Sequence, residues 1–109
     1  MSWTVETLDK RVEKELNALP ADIRADMYQV VKLLEEYGPD HLNSRHVRFL
    51  GGALWEIRAK AQTGIGRSIY VKAKGRRLVV VHAFVKKSQK TPKAALDLAR
   101  KRAKEIDHG

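Results

Sequence analysis

The hydrophobic period of this chain changes at Leu54, and that change constrains the fold more than any other feature. Upstream, Ile23, Met27, Val30, Leu34 and Tyr37 recur at intervals of four, three, four and three, with Val31 and Leu33 widening the stripe. Spacing near 3.6 puts these side chains on one face of a helix. Downstream, Trp55, Ile57, Ala59 and Ala61 alternate with Glu56, Arg58, Lys60 and Gln62, the period of a half-buried strand with a charged face. Helical and strand periods in separate blocks predict an α+β fold.

The flanking segments complete that outline. Trp3, Val5 and Thr7 alternate as a short opening strand would, and Val12, Leu16 and Leu19 recur at helical spacing until Pro20 breaks them off. The simplest arrangement is an antiparallel helical hairpin about Pro20, closed by Gly38-Pro39, where Gly accepts a left-handed cap and Pro cannot continue the ladder. Asp40 to Gly52, polar and irregular and carrying His41, Arg45, His46 and Arg48, is expected to be a loop. Gly64 and Gly66 mark a turn, Arg67 to Ala73 a second strand, Lys74-Gly75-Arg76 another turn, and Leu78 to Val85 a third strand. Because Leu78 to Val81 is apolar at every position, that strand is expected to be central. Thr91-Pro92 opens a final helix, with Thr able to cap it, and Leu96, Ala99, Ala103 and Ile106 form its stripe. The expected architecture is a small antiparallel sheet, the N-terminal strand added to a three-strand meander, with the helices on one side and the other face open. No repeat, low-complexity stretch or linker divides residues 1–109, so a single domain is expected.

Composition excludes several classes. The chain has no cysteine, which removes disulfide scaffolds, thiolate zinc sites and cysteine nucleophiles together. Its longest apolar run, Leu78 to Val81, falls far short of the roughly 20 residues of a membrane span, and Met1 to Thr7 lacks the basic start and apolar stretch of a signal peptide. No membrane partner is expected, and the cytoplasm is the expected compartment.

The formal net charge is +9, but it is unevenly placed. Residues 1–40 carry a net −4 and residues 41–109 a net +13. Between Ile57 and Leu96 stand eleven cations and no carboxylate: Arg58, Lys60, Arg67, Lys72, Lys74, Arg76, Arg77, Lys86, Lys87, Lys90 and Lys93. Such a field attracts polyanions, nucleic acid above all, although a solvated basic face would look the same in sequence. His41, His46, His82 and His108 show no helical His spacing and no accompanying acidic cluster, so neither a metal nor another cofactor is expected.

Leu54-Trp55-Glu56-Ile57-Arg58, Gly66-Arg67-Ser68-Ile69-Tyr70, and His82-Ala83-Phe84-Val85-Lys86-Lys87 followed by Thr91-Pro92 occur in this order on the predicted strands and final helix. In these segments, and in its two opening helices, the chain resembles the RelE/HigB toxins, and more closely their phage-derived Gp49-like branch. That resemblance implies a RelE-like fold and a type II toxin that cleaves messenger RNA, in many relatives only on the ribosome. It further implies an antitoxin partner with a helix-turn-helix domain.

RNA can be cut without metal when its own 2′-hydroxyl attacks the adjacent phosphorus and leaves a cyclic phosphate. The protein then holds the strand in line, stabilises phosphoryl charge and helps move two protons. Arg suits the second task because its planar fork takes two phosphate oxygens at once. Carried over position by position, the resemblance assigns catalysis to Arg58, Arg67, Lys86 and Lys87, with Tyr70 and His82 as further acid, base or base-stacking candidates. Lys60, Lys72, Lys74, Arg76, Arg77, Lys90 and Lys93 would hold the strand.

Strand parity qualifies some of these roles. Arg58 lies opposite the Trp55-Ile57-Ala59 face, as a surface cation should, whereas Arg67 shares parity with Ile69 and Val71 and points toward a core. Lys86 and Lys87 are adjacent, so on a continuing strand they face opposite ways. His82, flanked by Val81 and Ala83, also reads as a hydrogen-bonded structural histidine, and Trp55 and Phe84 read as core. Two other activities stay open at this point. Some relatives poison DNA gyrase, and an inert nucleic-acid-binding module would need cations without their precise placement.

Overall fold

The structure is a computed structural model that describes residues 3–86 and 90–106. The elements are β1 (Thr4–Thr7), α1 (Lys10–Asn17), α2 (Ala21–Tyr37), a 3-10 turn (Pro39–His41), β2 (Val47–Gly51), β3 (Leu54–Ala61), β4 (Gly64–Ala73), β5 (Arg77–Lys86) and α3 (Lys93–Ala103). The strands form one sheet in the order β1-β5-β4-β3-β2. No helix among the described residues is long and apolar enough to cross a membrane.

The α+β class, the helical hairpin, the meander and the final helix are as the periodicity predicts. The sheet is mixed, however, because β1 runs parallel to β5, pairing Val5 with Leu78 and Thr7 with Val80. After β1 the chain passes through both helices before the meander begins, so β1 meets β5 as a crossover neighbour and not through a hairpin.

The expected loop from Asp40 to Gly52 also holds a strand. In β2, Val47 pairs with Ile57, Arg48 with Glu56 and Phe49 with Trp55. Only Val47 is buried there, while Arg48 and Phe49 are exposed. An edge strand this short leaves too little alternation to stand out from a polar loop.

The expectation of one covered face is corrected too. Val12, Leu19, Ile23, Met27, Val30 and Leu34 from α1 and α2 pack on Val47, Ile57, Ala59, Tyr70, Leu78 and Val80. On the opposite face, Ala95, Ala99 and Ala103 of α3 pack on Leu54, Ile69, Val71, Val79 and Val81. The two inner strands are apolar at both parities near the β4–β5 turn, so that end of the sheet needs a cover on each side.

Two local devices hold these layers in register. At Gly66, α2 comes so close to β4 that a Cβ would collide with Ile23 Cγ2, so the position accepts no side chain without movement. Along the part of β5 that β1 does not cover, Glu15 and Arg102 take the place of a neighbouring strand. Glu15 Oε1 accepts from the Ala83 N–H at 3.1 Å, and Arg102 Nη1 donates to the Val81 carbonyl at 2.9 Å. The same guanidinium nitrogen lies 3.0 Å from each Glu15 oxygen, which ties α1 to α3 around the edge of the sheet.

Candidate functional site

Beyond the area under α3, four strands bring cations to one face of the sheet. Arg48 on β2 stands opposite Glu56 on β3. Two residues further along β3, Arg58 stands directly opposite Arg67 on β4. Arg67 in turn faces Phe84 on β5, and Lys86 closes the row opposite Ile65. Directly opposed like charges on adjacent strands destabilise a sheet.

One carboxylate offsets part of that repulsion. Glu56 is fully buried and Arg67 is 1% exposed. Arg67 Nη1 donates to Glu56 Oε2 at 3.0 Å and to Thr91 Oγ1 at 2.5 Å, and Thr91 gives its own proton to Glu56 Oε2 at 2.6 Å. The triangle is internally consistent, since the threonine hydroxyl accepts from the cation and donates to the anion.

This arrangement corrects the expected cap of the last helix. Pro92 occupies the N-cap position of α3 and no side chain caps it. The Thr91 hydroxyl is committed to Glu56 and Arg67, so it anchors the start of α3 to the floor of the cationic face.

Among the described residues, Arg48, Arg58, Arg67 and Lys86 thus share a single carboxylate on this face, Glu56, a local excess of three positive charges. Burial holds the Arg67 guanidinium below the ordinary arginine range; Glu56 opposes that shift, and Arg58 and Arg48 add to it. Lys86 is also lowered from its ordinary 10.5, first by desolvation and then by the charges of Arg67 and Arg58. A lysine made easier to deprotonate by neighbouring guanidinium groups has the chemistry of a proton donor.

The structure sorts the other sequence candidates. Arg67 lies beneath the site, as its parity with Ile69 and Val71 requires, and not on an exposed surface. Tyr70 is on the opposite face, fully buried, with its ring stacked on Trp55 at 6.5 Å. Burial pushes its phenol above the ordinary range. The expectation that it stacks on a base is corrected, because its parity with Trp55 and the Ile57 face carries it into the core under α2.

His82 Nδ1 lies 3.0 Å from Glu15 Oε1, and its ring stacks on Phe84 at 5.0 Å. It belongs to the edge device described above. Lys87 lies outside the described residues.

The strand-holding cations do not form one track. Lys60 is exposed two residues from Arg58, and Lys90 and Lys93 are exposed on either side of Thr91. Lys72, Lys74, Arg76 and Arg77 are instead at the β4–β5 turn, the opposite end of the sheet. There Lys72 sits over the Trp55 ring at 5.0 Å, Arg76 over Trp3 at 5.9 Å, and Arg77 Nε binds Glu6 at 2.7 Å. A hairpin strand carries its residues to both ends of a sheet, which a count of charge along the chain does not register.

Arg48 is the member of the cluster that the sequence reading passed over. Its signal was the alternation of Val47, Arg48 and Phe49, which becomes meaningful only once β2 is seen to pair with β3.

A family model described as phage derived protein Gp49-like matches residues 14–104 of the chain. No curated protein matches it.

Proposed function

The chain belongs to the Gp49-like phage-derived family, a RelE/HigB-like toxin family, and from that membership we propose that it is an endoribonuclease toxin that cleaves messenger RNA. Toxins of this kind work in pairs with an antitoxin, and a helix-turn-helix antitoxin is the partner proposed here. The observation that supports the nuclease reading is the register of Arg58 against Arg67 on one sheet face, beside Lys86, with Glu56 the one carboxylate among these cations in the described residues.

In this reading the substrate's 2′-hydroxyl gives up its proton to solvent water and attacks the adjacent phosphorus. The P–O5′ bond breaks, and a 2′,3′-cyclic phosphate and a free 5′-hydroxyl result. Arg58 holds the non-bridging oxygens as their charge grows. Lys86 donates the proton that the leaving 5′ oxygen needs, a task that its lowered pKa favours. Arg48 stands at the rim and draws in the strand. Arg67 acts as a positioning residue: held by Glu56 and Thr91, it fixes the floor on which Arg58 stands.

The test is an end-labelled messenger, incubated with and without ribosomes, with wild-type protein and with Arg58→Ala and Lys86→Ala. New cuts that fall by about a hundredfold or more in either variant are expected, with circular dichroism showing both variants folded. Intact messenger with wild-type protein in both settings overturns the proposal, and cleaved gyrase–DNA complexes would then identify the other activity of this superfamily. Cutting at the wild-type rate by both folded variants overturns the assignment of the site.

A further inference from the structure

Past the end of β2, the outer edge of β3 from Arg58 onward has no strand beside it among the described residues. The Arg58 N–H donates to the His46 carbonyl at 2.8 Å, and the Lys60 N–H to Asp26 Oδ2 at 2.9 Å. Between this edge, α2 and the segment that precedes β2 lies a pocket of about 400 Å³. Arg45, His46, Arg58 and Lys60 supply its polar wall with Asp26, and Ala59 and Ile65 its apolar wall.

Arg58 connects this pocket to the cationic face, since it lines the one and its register opposite Arg67 places it on the other. Its Nε is buried without a hydrogen-bond partner among the described residues.

We propose that the pocket is a nucleotide subsite. It takes the nucleotide next to the scissile phosphate, with the phosphate on Arg45, Arg58 and Lys60 and the ribose or base against Ala59 and Ile65. The assignment rests on the ribonuclease reading above and extends it to the nucleotide beside the cut. Three physical features support it. The volume lies in the range of small-ligand pockets. The charges favour an anion, because Arg45, Arg58 and Lys60 outnumber the one carboxylate of the lining, Asp26. The apolar wall suits the flat face of a sugar or base, which a site for free inorganic phosphate would not need.

The probe is a 2′-O-methyl RNA tetramer, which lacks the attacking hydroxyl and therefore reports binding alone. The amide signals of His46, Ala59, Lys60 and Ile65 are expected to move on titration. Arg45→Ala and Lys60→Ala are each expected to weaken binding about tenfold, as loss of a charge-assisted phosphate contact does. In the cleavage assay, Arg45→Ala raises KM and leaves kcat near the wild-type value, because the contact serves ground state and transition state alike.

Unchanged affinity in both variants, or amide shifts confined to Arg48 and Lys86, overturns the subsite. Shifts produced by a poly-glutamate peptide and not by the tetramer overturn it in favour of an acidic protein ligand. The two proposals fail separately. A protein that binds the tetramer through Arg45 yet cuts no messenger keeps the pocket and loses the ribonuclease, whereas cutting with a KM indifferent to Arg45→Ala does the reverse.

Discussion

Arg58 and Arg67 face each other across β3 and β4, yet only Arg67 has an ion-pair partner among the described residues, Glu56 at 3.0 Å. The two guanidinium groups differ in their surroundings: Arg67 is buried, and Arg58 is half-buried.

Arg58→Ala should therefore separate activity from stability. Removal of a like charge directly opposite Arg67 relieves about 0.2–1 kcal/mol of repulsion, so the melting temperature is expected to hold or rise. Messenger cleavage is expected to fall by about a hundredfold or more. Thermal melts beside the cleavage assay check both; a variant that loses stability and activity together would make Arg58 a structural residue.

Glu56→Ala should do the opposite. It leaves Arg67 buried beside other cations without its counter-charge, which costs about 3–5 kcal/mol. Thr91→Val removes one hydroxyl from the same triangle and is expected to cost about 1–3 kcal/mol, with the start of α3 losing its anchor. Urea denaturation of both variants gives the order, and equal midpoints for wild type and Glu56→Ala would sink the account of the triangle.

The pH profile of cleavage should report Lys86. If its proton goes to the leaving oxygen, activity declines as pH rises through a pKa below the ordinary 10.5. Lys86→Arg moves that decline upward. Stability follows the opposite sign. The folded protein binds the Lys86 proton less tightly than the unfolded chain, so unfolding takes up a proton and stability rises with pH between the lowered value and 10.5. Lys86→Met should flatten that rise in equilibrium unfolding measured across the same interval.

Gly66→Ala tests the seating of α2 on the sheet. The added methyl meets Ile23 Cγ2 inside contact distance, and overpacking of this kind costs about 1–3 kcal/mol. A lowered urea midpoint without change in secondary structure is expected. An unchanged midpoint would mean that α2 can withdraw from β4 at little cost.

Much of the fold was legible in the sequence because periodicity is a property of single elements. The stripe from Ile23 to Tyr37 specified α2, and the alternation from Trp55 specified β3 and the parity of Arg58. Gly38 ends α2 as expected, with a φ of +83° and its N–H bonded to the Leu34 carbonyl. The site was legible in part. Arg58 and Lys86 lie on one face, whereas Arg48 was hidden in an edge strand with only one buried residue, and Tyr70 was assigned to RNA although its parity belongs to the core.

What the sequence determined by itself is the set of elements, their order and the inward or outward parity of each strand residue, since all of these follow from neighbours a few positions apart. Which side of the sheet counts as inside was decided only in three dimensions. Ile69, Val71, Val79 and Val81 needed a cover of their own, and α3 supplies it on the face that had been expected to lie open. That one placement brings Thr91 to Glu56 and Arg67, places Arg67 beneath the site and leaves Arg58 and Lys86 at its surface. Burial depends on what packs from both sides, and partners as far apart as Glu56 and Thr91 leave no mark in local spacing.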